Sequence, residues 1–142
     1  MAIGGKVMTE RAEIERIIRQ AYAARKRNDL EGCLKVFADK PVFRMAGSHV
    51  ASPIAMVSTG QVELRETLEK LIQAFEWIDH TIVSIVIEGS KAAVHGRVKM
   101  ESAATGDVVE TEVADFIEIR DGRITSFIEF CDTALAGRLM GA

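Results

Sequence analysis

The chain has 142 residues, 48% of them hydrophobic and 27% charged, with a formal net charge of −3. That length predicts one domain over residues 1–142 with a real core, and the mild acidity leaves no basic footprint for nucleic acid. No apolar run approaches the roughly 20 residues of a membrane span, and the two cysteines, Cys33 and Cys131, make no disulfide framework, so a cytoplasmic setting is expected.

In chain order, residues 1–8 read as a loose segment without the apolar run of a signal peptide. Thr9 is placed to cap a helix running to about Arg27, with Ile14, Ile17, Ile18, Ala21 and Tyr22 as its buried stripe. Asn28-Asp29 breaks it, and Asp29 caps a short second helix carrying Leu30, Cys33, Leu34 and Phe37 inward. Pro41 disfavours helical geometry at Lys40 and ends that helix. Val42 to Ala46 reads as a strand. Gly47 to Gly60 is irregular but rich enough in apolar residues to fold back over something. Gln61 to Phe75 is a third amphipathic helix. Four strands follow: His80 to Glu88, Ala92 to Ser102, Val108 to Arg120 and Arg123 to Cys131. Helices early and strands late predict an α+β fold, with helices packed on one face of an antiparallel sheet.

The last two strands are joined by Asp121-Gly122, a strong hairpin signal because both residues tolerate positive φ. On the first of them Thr111, Val113, Asp115, Ile117 and Ile119 share a face that is apolar except for Asp115. On the second, Ile124, Ser126, Ile128 and Phe130 form a row that Asp132 ends. Two carboxylates among apolar neighbours make a candidate acid/base pair, since burial raises a carboxyl pKa toward neutrality. The structural alternative is that Asp115 bonds backbone and Asp132 caps the last strand.

The segments NDLEGCLKVFADKPVF, ADFIEIRDGRIT and SFIEFCD resemble the ketosteroid-isomerase-like superfamily, which holds the SnoaL-like cyclases, limonene epoxide hydrolase and nuclear transport factor 2. The resemblance covers roughly Glu13 to Asp132. It implies a curved antiparallel sheet wrapped around the three helices as a cone. It further implies a pocket inside for a small apolar molecule, and a homodimer through the outer sheet face. The hydrolase's Arg-x-Asp maps onto Arg97-Val98-Lys99, with lysine in place of aspartate, and its final aspartate onto Asp132. Its water-holding pair falls on Phe43 and Met45, which cannot position water, so epoxide hydrolysis by that route is not expected. The isomerase's base also falls on Met45, its helix-one tyrosine on Ala21 beside Tyr22, and its neutral carboxylic acid on Asp115.

By alternation alone Val94, Val98 and Met100 are the apolar side of their strand, leaving His95, Arg97 and Lys99 in water. The resemblance reverses this, sending Arg97 inward to orient Asp132 or Asp115 and Lys99 inward to hold a ligand. Tyr22, Phe43, Met45 and Trp77 are candidate pocket lining, and His80 a candidate proton carrier. No metal is expected, since the three histidines lack ligand spacing, and no cofactor is implied. The leading expectation is a small-molecule acid/base enzyme (isomerase, cyclase, hydratase or hydrolase) with Asp132, Arg97 and Asp115 as its machinery. The competing one is a non-catalytic binding or dimerising module on the same fold, and a common meeting point for those three side chains would separate the two.

Overall fold

In the computed structural model, which describes residues 2–141 with side chains from Glu10 onward, helix α1 (Ala2–Lys26) buries Ile14, Ile17, Ile18 and Tyr22. It continues back to Ala2 through the stretch expected to be loose, because adding residues to an existing helix is far cheaper than nucleating one. The expected Thr9 cap lies outside the described side chains. Asn28, at φ 58°, ends the helix. The Asp29 carboxylate then accepts from the Gly32 N–H at 2.9 Å and caps α2 (Leu30–Lys35). A Cβ on Gly32 would lie 2.3 Å from Asp29 Oδ2, so the glycine is what admits this cap.

Strand β1 (Phe37–Met45) begins earlier than expected and contains Pro41. The proline falls in the break between Phe37 and Val42 where pairing shifts register, so the missing N–H costs the ladder little. The irregular stretch ends in a short strand, β2 (Met56–Thr59), antiparallel to β1. Helix α3 (Gly60–Ala74), burying Leu64 and Leu68, runs straight into β3 (Phe75–Glu88). A meander of β4 (Lys91–Ser102), β5 (Val108–Arg120) and β6 (Arg123–Phe130) follows. The sheet order is β2-β1-β6-β5-β4-β3. All neighbours are antiparallel except β1 and β6, so the sheet is mixed at one seam; the whole α3-plus-meander segment serves as the crossover a parallel pair needs.

The protein is thus α+β, an unclosed curved sheet with its helices on the concave side. Register shifts supply the curvature. Two lie in β3, between Trp77 and Asp79 and between Ile82 and Ser84. A third leaves Thr125 unpaired, because Glu118 faces Ser126 while Ile119 faces Ile124. An extra residue reverses the alternation beyond it. Ile124 and Phe127 are therefore both buried, while Phe130 is 48% exposed. This corrects the expected single row of Ile124, Ser126, Ile128 and Phe130. A last helix, α4 (Thr133–Leu139), was not anticipated and packs Ala136, Gly137 and Leu139 against the body. Among the described residues no helix is long and apolar enough to cross a membrane.

Candidate functional site

The concave face of the sheet and the helices enclose a cavity of ≈ 110 Å³. Its wall is largely apolar, with Phe43, Met45 and Trp77 among its lining; the polar members among the described residues are Tyr22, Arg25, Thr111, Glu129 and Asp132, with the thiols of Cys33 and Cys131.

Asp115, on the inward row of β5, is 1% exposed and lies behind the cavity lining, not in it. The Tyr22 hydroxyl, projecting from α1, donates to its Oδ2, while Oδ1 has no hydrogen-bond partner. Directly across the β5–β6 ladder stands Glu129, which lines the cavity. Burial pushes the Asp115 carboxyl well above the usual carboxylate range and the neighbouring Glu129 pushes it further; the bond from Tyr22 works the other way. Burial also raises Glu129, against the opposing pull of Asp115 and of the Arg25 guanidinium. Two acids one ladder step apart in an apolar setting cannot both ionise cheaply, so they titrate as a pair. The same burial, helped by Asp115, raises the Tyr22 phenol, which stays protonated and able to donate.

Around Tyr22 the aromatic groups are stacked. The His80 ring lies 4.5 Å from Tyr22 and 4.9 Å from Trp77, and the Arg25 guanidinium carbon sits 4.8 Å above Trp77. Burial lowers the His80 pKa to about 4, with Asp79 opposing, so the imidazole is neutral at pH 7. Its Nε2 is buried without a partner, 3.0 Å from where a Cβ on Gly96 would be. Arg25 keeps its charge at neutral pH even though burial lowers it to about 10. Cys33 and Cys131 also line the cavity, and burial pushes both thiols up to about 11, which leaves them weak nucleophiles.

The expected trio does not meet. Arg97 and Lys99 are exposed on the outer face, where their ladder partners are Glu112 and Glu110. Val98 and Met100 point inward instead and line the cavity. Plain alternation had this right, and the position carried over from the resemblance had it reversed: an inward Arg97 would need a buried partner that β4 does not offer. Asp132 reaches the cavity lining, but it is exposed and its carboxylate accepts from the Leu135 N–H at 3.0 Å, capping α4. Tyr22, Phe43, Met45 and Trp77 do line the cavity. His80 stands behind that wall, between Tyr22 and Trp77.

Two members of the site escaped sequence reasoning. Glu129 was hidden by the unpaired Thr125, which flips its face; an acid inside Phe127-Ile128-Glu129-Phe130-Cys131 was the available signal. Arg25 follows Tyr22 by three residues, on the same helical stripe, and a charge on a buried stripe could have been noticed. Among the described residues no cluster of histidine, cysteine and carboxylate side chains is arranged to hold a metal.

Residues 18–127 match the SnoaL-like domain. Among solved structures, a candidate isomerase from Bacillus subtilis superposes with a TM-score of 0.83 at 15% identity, covering 93% of this chain and 95% of that one. An NTF2-like protein from Burkholderia xenovorans gives 0.73 at 23% identity, covering 91% and 96%. A limonene-epoxide-hydrolase-like epoxide hydrolase from M. tuberculosis gives 0.70 at 17% identity, covering 90% and 93%. At these identities the likeness establishes the fold. No curated protein matches the chain by sequence.

Proposed function

The chain belongs to the SnoaL-like domain family, and from that premise we propose that it is an acid/base enzyme acting on a small, mostly apolar molecule held in the cavity, with Glu129 as the group that exchanges the proton. One observation carries the reading: Asp115 and Glu129 stand on facing positions of adjacent strands, Glu129 in the cavity wall and Asp115 buried behind it, and burial raises the pKa of both. A carboxyl useful as an acid or base near neutral pH needs such a lift. Asp115 is the deeper of the two, and its burial beside Glu129 outweighs the opposing bond from Tyr22, so it is the member that keeps its proton. Glu129 fronts the cavity, and Arg25 restrains its rise, which suits it to give and take a proton. Asp132 closes the rim as a helix cap, and Arg97 and Lys99 take no part. Isomerisation, cyclisation and hydration share this proton step; the matched structures named as isomerase and epoxide hydrolase support the class without fixing the reaction.

The test is solvent deuterium exchange followed by NMR over a panel of small carbonyl compounds, neutral and carboxylated. The expected result is exchange catalysed by the wild type and reduced by about 10²-fold or more in Glu129→Gln, the range for loss of a general acid–base group. Equal exchange in both proteins would remove Glu129 from the mechanism. A second reading, a non-catalytic ligand-binding module, is favoured by Phe43 and Met45, which put apolar side chains in the cavity wall where the related enzymes hold water or a base. It predicts saturable binding with no exchange.

The same reading includes a homodimer through the outer sheet face. Phe116 and Phe130 are 50% and 48% exposed there, packed edge-to-face at 5.7 Å, an apolar pair that a second copy would cover. Sedimentation should give a dimer, and Phe116→Lys a monomer. A cytoplasmic setting belongs to this reading too, supported by Cys33 and Cys131 both being free thiols.

A further inference from the structure

Arg25 is a charged side chain on the stripe of α1 that faces the cavity, and its bonding is incomplete. Its Nη2 donates to the carbonyl oxygens of Leu71 at 3.2 Å and Phe75 at 2.7 Å, where α3 runs into β3. Its Nη1 is buried and has no hydrogen-bond partner. Among the described residues it forms no ion pair within 4.0 Å, since the eight pairs present all involve other side chains. Trp77 offers its face to the guanidinium, which holds the plane in place without satisfying the remaining N–H groups.

A buried donor left unmatched costs free energy, more so when it is charged, and the fold tolerates it only where something completes it. The cavity that Arg25 lines is beside it, and among the described residues Arg25 is the one cationic side chain in a lining that is mostly apolar, with Glu129 and Asp132 as its carboxylates. We propose that this cavity selects a compact apolar molecule bearing one acidic oxygen group, a carboxylate or an enolate, and that Arg25 Nη1 is the donor that recognises it. This rests on reading the cavity as a small-molecule site, but it does not require that the site be catalytic. Size adds a second limit. At ≈ 110 Å³ the space is below the roughly 300 Å³ at which drug-sized pockets begin, so the ligand is a short-chain or single-ring acid.

The chemistry has a consequence for Glu129. With Asp115 protonated, an ionised Glu129 balances the Arg25 charge, and an incoming anion makes the balance negative by one. Binding therefore draws one proton into the site. The groups facing Arg25 and Glu129 are Tyr22 from α1, Cys33 from α2, His80 from β3, Asp115 from β5, and Cys131 and Asp132 at the end of β6. Of these, His80 is neutral, Tyr22 and the two cysteines keep their protons at pH 7, Asp115 already holds one, and the Asp132 carboxylate is exposed and engaged in capping α4. Glu129 is the group left to take the proton.

The experiment uses 3-methylbutanoate, its amide and its alcohol, three molecules of one shape, titrated into the full chain by calorimetry in two buffers of different ionisation enthalpy. The acid should bind at least about tenfold more tightly than the amide or the alcohol, the scale of one charge-assisted hydrogen bond, with uptake of about one proton. In Arg25→Met, which keeps the stem and removes the charge, that preference should vanish. Because the variant also loses two bonds to the α3–β3 junction, the wild type provides a second readout. The Arg25 Nη–H resonances should shift on adding the acid and stay unmoved with the amide. Repeating the titration on Glu129→Gln should retain the acid preference and abolish the proton uptake; intact acid preference in a wild type that catalyses no exchange counts against the enzyme reading alone. An acid bound no better than its amide, or not bound at all, overturns the proposal and leaves Nη1 to an internal water.

Discussion

The two faces of the β4–β5–β6 sheet carry similar side chains to opposite ends. On the outer face the charges are numerous and paired across the ladder in water: His95 meets Glu112 at 2.6 Å, and Arg97 and Lys99 stand opposite Glu112 and Glu110. On the inner face they are few, enclosed and shifted: Asp115, Glu129 and, from the helix above, Arg25. Water screens the first set to near irrelevance, while desolvation changes the protonation of the second. Charge type is the same on both sides; what separates chemistry from solubility is which side of the pleat a residue takes.

The contrast can be broken most forcefully at neighbouring residues. Ile117 is 2% exposed on the inner face, and Ile117→Ala should destabilise the protein by about 2–5 kcal/mol in chemical denaturation, the range for truncating a well-packed core side chain. Phe116, the adjacent residue, should lose less than about 1 kcal/mol when truncated in the monomeric form, because the area it gives up is already half in water. Similar losses at both positions would mean that the faces are not distinguished as described.

A smaller but more diagnostic effect concerns pH. A carboxyl whose folded pKa is raised binds its proton more tightly in the native state. The stability it contributes is complete below the ordinary carboxylate pKa and is lost as pH rises through the folded value. Asp115 and Glu129 should therefore make the wild type less stable from weakly acidic toward alkaline pH, and Asp115→Asn should flatten that decline. His80 acts with the opposite slope. Its folded pKa of about 4 lies below its ordinary value of 6.5, so stability is lost as pH falls through that window. Melting temperatures of wild type, Asp115→Asn and His80→Gln across pH 4 to 9 separate the two slopes. At the weak end of the scale, Arg97→Ala and Lys99→Ala should each stay within about 0.5 kcal/mol of wild type, as isolated surface substitutions do.

Much of this was legible in the sequence. The element order, the Asp121-Gly122 hairpin and the burial of Asp115 follow from periodicity and turn chemistry, which are local. Tyr22, Phe43, Met45 and Trp77 as cavity lining followed from apolar pattern and resemblance together. What stayed hidden depends on pairing between distant segments. The unpaired Thr125 is set by the register of β6 on β5, and strict alternation without it turns Glu129 toward solvent. Helix α4 hides because seven residues with two turns' worth of apolar content give little periodicity, so Asp132 read as a strand end when it is a cap. Arg97 was misplaced for a different reason: a position carried over from related enzymes outweighed the alternation of β4 itself, which was correct.

The central claim is that Asp115 and Glu129, facing each other on the inner side of the sheet, titrate as a pair that still holds a proton at neutral pH. Carbon-13 NMR of the side-chain carboxyls, titrated from pH 3 to 9, reads this directly. The account predicts that at pH 7 at least one of the two, Asp115 first, shows the chemical shift of a protonated acid, and that both curves respond to each other's ionisation. Two independent titrations complete by pH 5 would contradict it.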